Sequence, residues 1–214
     1  MIGIIDYGMG NLFSVHKALE RLGAESVISG DPEILAACDG LILPGVGAFR
    51  DAMVALYKQE LFAFLHDYVA EGKPLLGICL GMQLLFEVGE EHGFTEGLAF
   101  LNGTVVKFPE PRQRNEYRVP HMGWNQLRFN QVHPLLENLE EDYVYFVHSY
   151  FAQMEDQTEV IAYADYAGVK VPAVVGRGPI MGMQFHPEKS GKLGTELLRN
   201  FIRLAEEREI VNER

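Results

Sequence analysis

Four short apolar runs alternate with four helical stretches across the first 87 residues, and this alternation restricts the fold more than any other feature. The runs are MIGIID, ESVIS, DGLILP and KPLLGI. Each is long enough for a buried strand and too short for a helix. Between them lie NLFSVHKALERLG, DPEILAAC, DAMVALYKQELFAFLHDYVAEG and LGMQLLFE. The first has helical spacing through Leu12, Val15, Leu19 and Leu22, with Asn11 placed to cap it and Gly23 to stop it. The second has Asp31 as its cap and Pro32 at its first position. The third is long enough to break into two pieces. Strand followed by helix, repeated, predicts a doubly wound, mostly parallel sheet flanked by helices, an α/β fold of flavodoxin-like type.

From Leu98 the texture changes. FLNGTVVKF, GWNQLRF, DYVYFVHSYFA, TEVIAYA, VKVPAVVG and PIMGMQF read as strands joined by short turns, so added antiparallel strands are expected in the C-terminal half. GKLGTELLRNFIRLAEER reads as a closing amphipathic helix. No repeat or long linker divides the chain, and a single domain over 1–214 is expected.

In sheets of this kind ligands sit beyond the carboxyl ends of the strands. That draws attention to DYGMGN, PGVGAF and GICLGMQ, each of which follows an apolar run. Gly77-Ile78-Cys79-Leu80-Gly81 lies between a strand and a helix. A nucleophile there needs a sharp turn, and small flanking residues relieve its crowding. A helix start also favours a thiolate. An isolated cysteine is more often a buried, inert side chain, and Cys38 is read that way; the strand–turn–helix setting separates Cys79 from it. A thiolate that attacks an amide needs a proton carrier for the leaving amine. Gln184-Phe185-His186-Pro187-Glu188 follows the last apolar strand and places His186 and Glu188 two residues apart, where both side chains reach one side of an extended segment. Glu188 would orient the imidazole. A surface histidine beside a solvated glutamate is the plainer reading of that tripeptide taken alone. In Leu43-Pro44-Gly45-Val46-Gly47, glycines flank Val46. Such a segment is either an ordinary turn or a donor of backbone N–H groups to an oxyanion, with Val46 or Gly47 supplying one N–H and Leu80 the other. No Gly-Lys-Ser/Thr follows it, so it is not a phosphate loop, and DYGMGN falls short of a dinucleotide fingerprint.

Composition narrows the partners. The formal net charge of −12 disfavours phosphate backbones and anionic lipid. No apolar run approaches the roughly 18 residues of a membrane span, and the N-terminus reads as a first strand and not as a signal peptide. Two cysteines in unlike contexts make neither a disulfide framework nor a cysteine-rich zinc site, and two free thiols fit a reducing cytoplasm.

Taken together, GICLGMQ, QFHPEKS and PGVG resemble the class I, triad-type glutamine amidotransferases over essentially the whole chain. More narrowly, DYGMGNLFSV, LPGVGAF, VPHMGWNQL, YFVHSYF and GMQFHPEKSGKLGTELLRNF resemble the glutaminase subunits of imidazole glycerol phosphate synthases. The resemblance implies hydrolysis of glutamine to glutamate and ammonia, with no cofactor and no metal. The ammonia would pass to a (β/α)8 cyclase subunit in a heterodimer, which converts PRFAR to imidazole glycerol phosphate and AICAR in histidine biosynthesis. By motif, Cys79 is the nucleophile, His186 the acid/base and Glu188 its orienter. Gly45, Gly47, Gln83, His148, Ser149 and Tyr150 match the glutamine site. Asn11, Trp124 and Lys189 match segments that face the cyclase. Phe13 departs from the pattern, where a polar or basic residue is more usual. The same triad would also serve a cysteine peptidase or γ-glutamyl hydrolase, and a non-catalytic assembly subunit is a third reading. A peptidase would release peptides where the amidotransferase acts only on free glutamine, and absence of a Cys79 adduct with a glutamine-analogue electrophile would favour the assembly subunit over both enzymes.

Overall fold

The computed structural model describes residues 1–111 and 117–212. In chain order its elements are β1 (Ile2–Ile5), α1 (Leu12–Arg21), β2 (Ser26–Ser29), α2 (Pro32–Ala36), β3 (Gly40–Gly45), α3 (Phe49–Lys58), α4 (Leu61–Ala70), β4 (Leu75–Cys79), α5 (Leu80–Gln83), β5 (Phe86–Gly89) and β6 (Thr95–Glu96). The second half adds β7 (Leu101–Lys107), β8 (His121–Gln126), β9 (Arg128–Phe129), β10 (Tyr143–His148), β11 (Tyr150–Gln153), β12 (Val160–Tyr166), β13 (Val169–Arg177), β14 (Ile180–Met183) and α6 (Gly191–Asn212).

The main sheet runs β2-β1-β3-β4-β14-β13-β12-β9. Its first five strands are parallel, and the remaining pairings are antiparallel. The expected α/β architecture is therefore present, with β14 completing the parallel set from the far end of the chain. Alternate side chains of the inner strands feed two separate cores. Ile2, Ile4, Ile42, Leu76 and Ile78 join the core that also holds Val15 and Leu19 of α1 and Leu197 and Phe201 of α6. Ile5, Leu41, Leu43 and Leu75 join the core that holds Met53 and Leu56 of α3 and Leu61 and Leu65 of α4. Strands covered on both faces are apolar at every position, which is why these segments read as unbroken runs. Each such side chain contributes about 1.5–3 kcal/mol by burial.

Local signals hold where they were specific. Asn11 accepts from Ser14 N at 3.3 Å, Asp31 accepts from Glu33 N at 2.9 Å, and Gly23 turns the chain at φ 75°. The third helical stretch breaks at Glu60, φ 60°, into α3 and α4. Three readings need correction. LGMQLLFE is not a continuous helix: α5 is one turn, and Phe86 then pairs with Leu101 in β5, where ladder bonds to β7 outcompete a helix. DYVYFVHSYFA is not one strand: it breaks at Ser149, so that β10 pairs with β8 in a two-stranded sheet while β11 pairs with β7 in a four-stranded one. GWNQLRF breaks at Leu127, whose side chain is fully buried, and β9 leaves for the main sheet.

Candidate active site

The carboxyl ends of β3, β4 and β14 meet at one edge of the parallel sheet, with Gly45 beside Cys79 and Met183 beside Ile78 in register. The chain turns abruptly at Cys79, which takes φ 56° and ψ −112°. A side chain in that region is strained, and such strain persists only where the surroundings enforce it. Here they do. A Cβ on Gly81 would lie 1.8 Å from Leu43 O, and one on Gly77 would lie 2.5 Å from Gly81 O. The turn is pressed against its own sheet, and only glycine fits on either side. Because α5 is a single turn, a helix macrodipole adds little at Cys79, contrary to the expectation from sequence. The first N–H groups of that turn, Leu80's among them, still have no carbonyl one turn earlier to bond.

His186 follows β14 and is held by a bond from its N–H to Tyr145 O at 3.1 Å. Its Nδ1 lies 2.9 Å from Glu188 Oε1, and both side chains are almost wholly buried. That contact occupies Nδ1 and leaves Nε2 for Cys79. Burial pushes the imidazole pKa down, but hydrogen bonding to Cys79 and Glu188, with their charges, more than offsets this and raises it to about 9. Among the described residues Glu188 Oε2 is buried without a hydrogen-bond partner, so this carboxylate depends on His186 for compensation. The Cys79 sulfur also lies 3.9 Å from Val147 O and 4.0 Å from Gln184 Nε2.

These groups open onto a cavity of about 370 Å³. Val46, Gly47, Cys79, Leu80, Gln83, His148, Ser149, Tyr150 and His186 line it, so most of the residues singled out from sequence come together. Gly45 does not line it. It is buried behind the wall, where a Cβ would stand 2.8 Å from both Gly81 N and the Tyr7 hydroxyl. Gln83 is committed to the protein as a donor: its Nε2 bonds Tyr150 O at 2.9 Å and Gln184 Oε1 at 3.0 Å, leaving Oε1 for a ligand. Asn11, Trp124 and Lys189 are exposed. Trp124 lies 3.9 Å from where a Cβ on Gly191 would stand, which puts it beside the Lys189 turn.

Sequence reasoning missed Glu91 and Pro120 on the cavity wall. Glu91 sits in the β5–β6 connection, and its Oε2 accepts from Phe49 N at 2.7 Å, at the start of α3. Nothing local marks it, because only the fold-back of β5 brings it there. Gln184, by contrast, lay within QFHPE and was available. Behind the wall, His148 Nδ1 donates to Tyr150 O at 2.8 Å and His148 Nε2 meets His121 Nδ1 at 3.0 Å.

The profile of Glutamine amidotransferase class-I matches residues 3–205. The chain belongs to the class-I glutamine amidotransferase family. Among its curated relatives, a protein of Geobacillus kaustophilus named imidazole glycerol phosphate synthase subunit HisH is 59% identical over 206 residues, covering 96% of this chain and 97% of its own. A protein of the same name from Bacillus subtilis is 52% identical over 211 residues, covering 98% and 99%. Among solved structures, a glutamine amidotransferase aligns with TM-score 0.75 at 22% identity over 95% of this chain and 98% of its own. A putative GMP synthase protein of Thermoplasma acidophilum aligns with TM-score 0.72 at 21% identity over 100% and 97%. These two likenesses speak for the amidotransferase fold.

Proposed function

We propose that this chain is the glutaminase subunit of an imidazole glycerol phosphate synthase, a single-domain cytoplasmic protein that works with a (β/α)8 cyclase in histidine biosynthesis. The observation that carries the proposal is His186, which is within hydrogen-bonding reach of a cysteine on a strained turn and 2.9 Å from a buried carboxylate. The raised imidazole pKa favours a protonated His186 beside Cys79 before substrate arrives.

The steps follow from that pair. The Cys79 sulfur attacks the side-chain amide carbon of glutamine, and the carbonyl oxygen takes up negative charge. Backbone N–H groups of Val46 or Gly47 and of Leu80 are proposed to receive that charge. The proton on His186 goes to the nitrogen as the C–N bond breaks, and ammonia leaves a γ-glutamyl thioester. Water then gives a proton to His186 and its hydroxyl to the thioester carbon; the C–S bond breaks, glutamate leaves, and the Cys79–His186 pair regains the protons it began with. Gly47, Gln83, His148, Ser149 and Tyr150 would hold glutamine, and the Glu91 carboxylate on the wall suits its α-ammonium group. The cavity suits a free amino acid. Asn11, Trp124 and Lys189 supply an exposed face for the cyclase, which would take the ammonia and act on PRFAR.

The test is chemical rescue in the assembled complex. Cys79→Ala is expected to abolish glutamine-dependent formation of imidazole glycerol phosphate, and ammonium at high concentration to restore it. Failure of ammonium to rescue would mean that Cys79 does something other than make ammonia.

A further inference from the structure

The oxyanion segment has one anchored end, held by its ladder to β4 and by a side chain from the loop after β1. β1 pairs with β3 only as far as Ile4 and Ile42. Beyond that point the first strand leaves the ladder, and carbonyls on that edge of β3 lose their strand partner. The Tyr7 hydroxyl takes the vacated place: it donates to Pro44 O at 2.7 Å, and the side chain is almost completely buried. Burial pushes its pKa up, and the nearby Cys79 charge pushes the same way, so the hydroxyl remains a donor at any working pH. Its oxygen also stands 2.8 Å from where a Cβ on Gly45 would be, so it closes the space behind that glycine. The contrast with the next residues is sharp. Val46 is 45% exposed. Gly47 follows at φ 101°, and the Met9 methyl lies 3.0 Å from the position of its missing Cβ.

We propose that Tyr7 is a positioning residue for glutamine hydrolysis: its hydroxyl pins the Pro44 carbonyl and so limits peptide-plane rotation to the Val46 region of the segment. This rests on the glutaminase reading above. The backbone at Pro44 and Gly45 pairs with Ile78 and Cys79 of β4, and the Tyr7 bond adds a second hold on the Pro44 carbonyl. Each additional turned conformer withdraws N–H groups from the developing oxyanion. The ladder ends at Gly45, so with both holds in place the freely turning part of the segment begins at Val46.

The experiment is Tyr7→Phe, which keeps the ring and removes the donor, assayed in the complex of this chain with its cyclase partner in the presence of PRFAR. Two readouts are needed. Glutamine hydrolysis requires the oxyanion contacts; alkylation of Cys79 by iodoacetamide is a displacement at carbon that forms no oxyanion. The expected result is a kcat lower by about tenfold, the scale on which losing one net hydrogen bond shifts a conformer population, with KM for glutamine and the Cys79 alkylation rate unchanged. An unchanged kcat overturns the proposal. So does an equal fall in alkylation, which would place the effect on the nucleophile or the fold, or a raised KM at constant kcat, which would place it in substrate binding. Absence of glutamine hydrolysis by the unsubstituted complex removes the glutaminase reading itself and this inference with it; hydrolysis by the unsubstituted complex that Tyr7→Phe leaves intact removes only this inference.

Discussion

Two groups of buried histidines, at the cavity wall and behind it, titrate in opposite directions. His186 has a thiol on one side and the Glu188 carboxylate on the other, and its pKa rises to about 9. His148 and His121 have each other, backbone carbonyls and aromatic rings. His121 stacks on Tyr166 with centroids 3.8 Å apart and on Phe146 at 4.5 Å. Burial, with no carboxylate to offset it, lowers His121 to about 4; burial lowers His148 to about 3, despite its bond to Tyr150 O. All three are buried to a similar extent. Burial therefore does not decide the protonation state; the presence of an opposite charge does. The result is one histidine equipped to carry a proton and two that stay neutral and serve as fixed donors and acceptors. The direction of their chain is set by its end: Tyr150 O can only accept, so His148 Nδ1 carries hydrogen, its Nε2 accepts from His121, and His121 Nε2 accepts from Asn125 Nδ2 at 3.3 Å.

The largest expected effect breaks the charged side of this comparison. His186→Ala removes the proton carrier and is expected to lower glutamine-dependent turnover by about 10³-fold or more, measured as glutamate release in the complex. Glu188→Gln keeps size and hydrogen bonding but removes the charge. A smaller loss, about 10²-fold, is expected, together with a fall of the His186 pKa from about 9 toward its ordinary value, followed by imidazole NMR. A loss as large as that of His186→Ala would show that Glu188 is more than an orienter.

Stability against pH sharpens the same contrast. The folded pKa of His186 lies above its unfolded value of about 6.5, so its contribution is complete below that pH and is lost as pH rises through about 9. The His121 and His148 values lie below 6.5, so the unfolded chain takes up protons first, and stability falls as pH drops from there toward about 4 and about 3. His121→Phe keeps an aromatic ring and removes one such site. Denaturant titrations should show lower stability at neutral pH, because His148 loses its donor, but a slope against pH shallower by up to about 1.4 kcal/mol per pH unit between 4 and 6.5. An unchanged slope would mean that His121 is charged in the folded protein.

The smallest effect concerns the other thiol. Cys38 is buried beside Ile34 O at 3.6 Å, and burial raises its pKa. Cys38→Ser is expected to leave glutamate release nearly unchanged, and a large loss would overturn its reading as an inert core residue.

Much of the parallel half was legible because its causes are local. Apolar runs bounded by caps and glycines are properties of neighbouring residues, and so are the Asn11 and Asp31 caps and the crowding of Gly77 by the turn that follows Cys79. The antiparallel half was less legible. Tyr143–Gln153 is one apolar, aromatic stretch in sequence, and only competition between β8 and β7 for partners cuts it at Ser149.

By itself, then, the sequence determined the element order of the parallel layer, the strained turn that carries Cys79 and the short spacing that lets Glu188 reach His186. Each depends on steric and hydrogen-bonding terms that act over a few residues. The tertiary structure alone decided that His121 and His148 face each other among aromatic rings. It also carried Glu91 back to the cavity and set Tyr7 under Pro44, and it kept Gly45 off the cavity wall. Those outcomes depend on groups far apart in the chain, and a pKa or an anchored carbonyl reports the field and contacts of whatever the fold packs beside it.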